Sequence, residues 1–199
     1  MNVLTVISHP RQDSLTSRVA RRFNEGLKDA GHNVEVFDLY QEEFNPVVFE
    51  KDEPDWTNTS INYSPVVHRE IERMNRNEGL AFIFPVWWYS IPAMLKGYID
   101  RVWNYNYAYG GHKLPHKRAI WIGLAGGTKE HFQKRKYDTT IEHHLNIGLA
   151  DYTGISSSKV EILYDTLSEA AFDPNTQKQF VDHLLQRAYQ LGTDYTNWK

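Results

Sequence analysis

Cysteine is absent from the sequence. Its absence excludes disulfides, thiolate metal sites, iron–sulfur clusters and thiol nucleophiles, and points to a reducing, cytoplasmic setting. An excess of one charge is missing too. Lys and Arg number 22 against 25 Asp and Glu, a net charge of −3, so charge draws the chain to neither nucleic acid nor an anionic membrane surface. Long apolar runs are also lacking. The longest uncharged stretch, residues 79–95, contains Pro85, Tyr89, Ser90 and Pro92 and falls short of the roughly 20 apolar residues of a spanning helix, so direct membrane insertion is not expected. No basic segment with a small-residue cleavage site follows Met1, so no secretory leader is expected. There is no internal repeat, low-complexity tract or linker, and 199 residues suit one domain spanning 1–199.

What the sequence has in quantity is aromatic residues: six Trp, twelve Tyr and nine Phe, many of them between Phe82 and Tyr109. Packing alone explains aromatics in a core, but not their concentration just beyond one strand.

Short β-branched apolar runs at 3–7, 33–37, 80–84, 119–122 and 159–164 read as five strands, apolar on both faces where they are central. Leu15, Val19, Phe23 and Leu27 recur every four residues among charged neighbours, an amphipathic helix begun at Asp13-Ser14 and closed near Gly31. Further helices are expected at 65–76, from Pro92 through Val102, at 139–149 and at 175–191, with 38–62 a long irregular connection. Strands alternating with helices imply an α/β three-layer sandwich around a five-stranded parallel sheet of order 2-1-3-4-5. Ligands of such sheets bind beyond the strands' carboxyl ends, where the order reverses between strands one and three. Loops 8–16, 85–92 and 123–132 lie there.

Loop 8–16 opens the first helix, whose unpaired N–H groups suit a phosphate; Ser8, Ser14 and Thr16 add hydroxyls, His9 and Arg11 add cationic donors. It has neither Gly-x-Gly-x-x-Gly nor a Walker lysine, and Ile7-Ser8 lacks the acidic residue that a phosphate-receiver domain needs at the first strand tip. Loop 85–92, with Trp87, Trp88 and Tyr89 between two prolines, suits the wall of a flat ring. In loop 123–132, Gly126-Gly127 lets backbone approach a ligand. Nine histidines make no metal motif: Pro115 separates His112 from His116, and Glu142-His143-His144 is not His-Glu-x-x-His.

Three stretches resemble one family. Ser8-His9 followed by Ser14-Leu15-Thr16 is the first; Asp38-Leu39-Tyr40 with Phe44-Asn45-Pro46 is the second. The most specific runs from Phe84 to Val102, Phe-Pro-Val-Trp-Trp-Tyr-Ser-Ile-Pro-Ala-Met-Leu-Lys-Gly-Tyr-Ile-Asp-Arg-Val. Together they resemble the flavodoxin-like NAD(P)H:quinone oxidoreductases, a family that includes DT-diaphorase, modulator-of-drug-activity proteins and the ancillary proteins of glutathione-gated potassium efflux. The resemblance implies a homodimer that binds flavin without covalent attachment. His9, Ser14, Leu15 and Thr16 would hold the phosphate region, Pro85, Val86, Trp87, Trp88 and Tyr89 would line the ring, and Gly126 and Gly127 would form the third loop. FMN is expected, with FAD the alternative, because the C-terminal extension of longer FAD-binding relatives is lacking. NAD(P)H would pass hydride to the flavin and leave, and a quinone-like acceptor would then take its place in a ping-pong exchange. Ala125 replaces the family's usual threonine and Phe132 its tyrosine, which leaves His131 and Tyr137 as candidates for proton transfer. The alternative function is a flavin-binding regulatory subunit of a membrane transport system.

Overall fold

The computed structural model describes residues 1–57, 60, 62–167 and 173–198. Five strands, β1 (Asn2–Ile7), β2 (Asn33–Asp38), β3 (Gly79–Pro85), β4 (Arg118–Leu124) and β5 (Ser157–Leu163), form one parallel sheet of order β2-β1-β3-β4-β5. Strand β3, central in that order, is buried at every position. Side chains alternate across the strands, so each strand feeds two cores. Leu4, Val6, Phe82, Phe84 and Trp121 face one side, against α2 (Pro65–Asn75) and α3 (Ala93–Val102). Val3, Ile7, Ile83, Ile120 and Ile122 face the other, against α1 (Leu15–Asp29) and α6 (Pro174–Thr193). Helices α1 and α6 touch through glycine: a Cβ at Gly26 would lie 2.2 Å from the Tyr189 carbonyl oxygen, and one at Gly192 2.2 Å from that of Phe23.

Between β4 and β5 the helical segment begins earlier than periodicity predicts. A short helix α4 (Lys129–Arg135) occupies the end of the loop expected at 123–132, capped by Thr128 Oγ1, which accepts from His131 N at 3.1 Å. Lys136, in the left-handed region at φ 58°, separates it from α5 (Tyr137–His143), which continues as a π-helix over His144–Asp151. Seven residues with one buried side chain, Phe132, show no readable period.

Among its described residues, the connection expected at 38–62 is irregular apart from a 3₁₀ turn at Glu50–Asp52, and a buried ion pair anchors it. Arg101 on α3 donates to Asp52 Oδ2 at 2.7 Å, and both side chains are almost wholly enclosed (3% and 0% exposed). Ser64 N and Ser64 Oγ donate to the same carboxylate at 2.7 and 2.9 Å, and Asn104 Nδ2 donates to the Asp52 carbonyl at 2.7 Å. Burial alone would raise the Asp52 pKa; the hydrogen bonds from Arg101 and Ser64 outweigh it and hold the carboxyl below its ordinary value. Removing one partner of such a pair strands the other. Asp52→Ala should therefore cost about 3–5 kcal/mol of stability, measured by urea unfolding.

His116 is buried at the other end of the sheet, its Nε2 donating to the Met74 carbonyl at 2.9 Å while Nδ1 has no partner among the described residues. Burial pushes its pKa below 6.5 despite that bond. Below the ordinary histidine value the unfolded chain takes a proton that the folded chain refuses. Stability should thus decline as pH falls from 7 towards 5, and His116→Gln should flatten that slope in unfolding titrations.

Candidate functional site

The carboxyl ends of β1, β3, β4 and β5 converge on a cleft of about 280 Å³. Its floor comes from three sequence-predicted loops: His9, Ser14, Leu15 and Thr16 from the first, Pro85, Val86 and Trp87 from the second, and Gly126 from the third. Arg11 and Leu124 join them. Thr166 and Leu167, from the loop after β5, complete the lining; nothing in their residue types marked that loop as part of a site. Topology is the signal that could have found them, since a fifth parallel strand ends at the same edge. No carboxylate lines the cleft among the described residues.

One end is built to take an anion. Ser14 Oγ accepts from Ser17 N at 3.1 Å and so caps α1, while the N–H groups of Leu15 and Thr16 have no intrahelical partner by position. Ser8 Oγ, 1% exposed just beyond β1, has no hydrogen-bond partner among the described residues, but Ser8 is not part of the cleft lining. A buried hydroxyl without a partner is costly and rare. His9 Nδ1 meets the Arg11 N–H at 3.0 Å and the Arg11 carbonyl oxygen at 3.2 Å, which ties the ring to its own loop. Burial, the largest effect, holds the His9 pKa below 6.5, so His9 is chiefly a neutral N–H donor at pH 7.

The other end is walled by the second loop, and here the structure separates three adjacent aromatics. Trp87 and Ser90 exchange backbone hydrogen bonds at 3.1 and 3.0 Å, and the two residues between them, Trp88 and Tyr89, both have positive φ, at 51° and 57°. This is a tight turn of a type that favours Asn and Gly. Trp87 faces the cleft. Trp88 projects into solvent, 94% exposed. Tyr89 turns to the α4–α5 side, where its ring lies parallel to that of Tyr137 with centroids 3.6 Å apart. Its hydroxyl is 3.3 Å from His131 Nε2, and Phe132 packs edge-on at 5.6 Å. The two candidate proton-transfer residues thus come together around Tyr89. Gly127 lies behind the cleft, its carbonyl accepting from Asp165 N at 3.0 Å.

Backbone hydrogen bonds tie the loops together. Ala125 N donates to the Leu163 carbonyl at 2.8 Å and Thr166 N to the Ala125 carbonyl at 3.0 Å, so the third loop is pinned against the fifth. The arrangement offers fixed donors for an anion at one end, an apolar floor, and an indole at the other end. No three His, Asp or Glu side chains are grouped to hold a metal ion among the described residues, and no helix among them is long and apolar enough to cross a membrane.

Known proteins share the sequence pattern and the fold. An NAD(P)H oxidoreductase of Escherichia coli K12 is 43% identical over 166 residues, covering 83% of this chain and 84% of its own. The structure of an NAD(P)H:quinone oxidoreductase from Methanothermobacter marburgensis superposes with a TM-score of 0.88 at 29% identity, over 100% of this chain and 98% of that one. An FMN-dependent NADH-azoreductase from Bacillus anthracis, solved with FMN, shares the fold at a TM-score of 0.60 and 18% identity, over 96% and 100% of the two chains. The family described as having the flavodoxin-like fold matches residues 1–188, and the chain belongs to that family.

Proposed function

We propose that the protein is an FMN-dependent oxidoreductase that carries reducing equivalents from NAD(P)H to a quinone-like acceptor. The observation that carries this reading is the open first turn of α1, with Thr16, His9 and Arg11 around it, at the end of a cleft walled by an indole: a ready place for one phosphate. A flavin with one phosphate suits that single anion-accepting end. FMN bound there would supply the hydride chemistry that links NAD(P)H to the acceptor in two half-reactions.

The protein's part is position and polarity. The Leu15 and Thr16 N–H groups, the Thr16 hydroxyl and the His9 ring would hold the phosphate, with Arg11 adding charge and Ser14 fixing the helix start. Pro85, Val86, Trp87 and the Gly126–Gly127 backbone would hold the ring. Trp88 and Tyr89 form the rim by which substrates enter. His131, hydrogen-bonded to the Tyr89 hydroxyl, is placed to relay the proton that a reduced quinone requires; Tyr137 reaches the rim through its ring. An indole as exposed as Trp88 suits a face covered by a second copy, and we read the working form as a homodimer.

Purified protein reconstituted with FMN should show flavin absorbance that bleaches on anaerobic addition of NADH or NADPH and returns on addition of a quinone, and light scattering should give twice the chain mass. Colourless protein after reconstitution with FMN and with FAD would falsify the assignment, and a monomer in the loaded state would remove the dimer from it. Thr16→Val should weaken FMN binding about 10- to 100-fold, the worth of one hydrogen bond to a charged group. Trp87→Ala should weaken it through the ring end, and both constants can be read by titrating apoprotein against flavin fluorescence.

A further inference from the structure

The connection between β2 and α2 concentrates the chain's negative charge. From Glu42 to Asp55 it holds six carboxylates and one lysine, which more than accounts for the net charge of −3. Of the six, Asp52 is buried and neutralised by Arg101. In the middle of the segment Val47, Val48 and Phe49 are all exposed. Three apolar residues in a row, open to water and rimmed by charge, are unfavourable unless the surface meets another molecule.

Phe49 also lines a cavity of about 570 Å³ that shares no residue with the cleft described above. One face of α2 lines it with Val66, Arg69, Glu70 and Arg73, and the turn after β2 adds Glu42 and Glu43. Two guanidinium groups already lie on its aromatic rings: Arg73 over Phe37 at 4.3 Å, and Arg101 over Phe44 and Phe49 at 5.5 and 5.4 Å. Both are neutralised, Arg73 by Glu35 and Glu70, Arg101 by Asp52. Glu42, Glu43 and Arg69 make no ion pair among the described residues. The lining thus keeps two uncompensated carboxylates against one cation.

We propose that this face, the cavity together with Val47 and Val48, docks a cationic, amphipathic segment of a partner protein, with an arginine side chain entering the cavity. Charge selects that occupant. An anionic membrane or a nucleic acid is repelled by the same carboxylates. A second copy in a two-fold contact would bring the acidic segment against itself, a like-charge juxtaposition. An entering guanidinium finds Glu42 and Glu43 to pair with and the open part of the Phe49 ring to lie on, as Arg101 does already. Arginine is the basic residue that both stacks on rings and pairs with carboxylates in a fork. Apolar residues between the cations meet Val47 and Val48. Arg69 opposes the partner. None of this rests on the reductase reading.

The test uses the full-length chain and a rhodamine-labelled, amidated hexapeptide of alternating arginine and leucine, followed by fluorescence anisotropy. The peptide should bind, its Kd should rise with salt, and a peptide of alternating glutamate and leucine should not bind. The double variant Glu42→Gln/Glu43→Gln should weaken binding by roughly 5-fold, the worth of two exposed ion pairs. Phe49→Ala should weaken it by roughly 2- to 5-fold, the worth of one cation on a partly exposed ring. Arg69→Gln, which removes the opposing charge, should tighten it by roughly 2-fold, a gain that damage to the fold does not produce. Absence of binding would overturn the proposal. So would an affinity that the double variant leaves unchanged, or an Arg69→Gln variant that binds more weakly. Loss of wild-type self-association in Phe49→Ala, read by sedimentation, would give the face to a second copy and overturn it as well.

Discussion

Parallel pairing forces every strand of this sheet to end at the same edge, and the site depends on that constraint more than on any one side chain. The ladder does not stop where the strands do. Ser8 N donates to the Ile83 carbonyl at 3.0 Å, Leu39 N to that of Ile7 at 3.0 Å, Val86 N to that of Leu124 at 2.8 Å, and Ala125 N to that of Leu163 at 2.8 Å. Each bond carries the sheet register one residue into a loop, so the first residue beyond each of these strands is placed by backbone geometry. Ser8, Val86 and Ala125 are those residues in three of the cleft-forming loops. The positions of the anion-accepting end and of the indole wall are thus inherited from the sheet, and loop sequence only chooses which side chains occupy them.

Against that rigid frame the aromatic turn is locally unfavourable. Trp88 and Tyr89 hold left-handed backbone without being glycine, at a cost of roughly 1–2 kcal/mol each. The turn's two backbone hydrogen bonds and the Tyr89 contacts with Tyr137, Phe132 and His131 offset that cost, and they explain why Tyr89 leaves the cleft. Trp88 receives no such compensation, because its ring is almost wholly in water. Strain retained with an uncompensated exposed indole is typical of a surface whose partner is a ligand or another chain, since a merely structural turn would be free to place Asn or Gly there.

Much of this architecture was legible because the features concerned are periodic or local. The β-branched runs gave five strands, their alternation with helices suited the doubly wound sheet order, the four-residue spacing from Leu15 to Leu27 gave α1, and three loops at one edge gave most of the cleft. The rest depends on contacts that no local pattern encodes. Helix α4 has seven residues and one buried side chain, too few to show a period. The three aromatics 87–89 read as one wall, but the left-handed turn sends their side chains three ways, and backbone sign is invisible in a run of bulky residues that ordinarily avoid it. Thr166 and Leu167 enter the cleft because Asp165 and Thr166 pair with the third loop, a long-range hydrogen bond unrelated to residue type.

The family motifs themselves have a physical explanation in the structure. Gly97, within Leu95-Lys96-Gly97, has no positive φ to justify it; a Cβ there would lie 2.3 Å from the Pro46 carbonyl oxygen. Pro46 belongs to the separate stretch Phe44-Asn45-Pro46, and the neighbouring Asn45 carbonyl accepts from Arg101 Nη1 on the same helix. Phe44 stacks edge-on with Tyr98, one residue beyond Gly97, at 5.4 Å. Two motifs some fifty residues apart in sequence are therefore the two halves of one interface between the long connection and α3. That helix is clamped by the connection and the Asp52–Arg101 pair along its length, while Ile91 and Pro92 lead into its first turn directly from the aromatic turn. Rigidity in α3 fixes where the turn begins, so a motif with no atom in the cleft still helps to set where Trp87 stands.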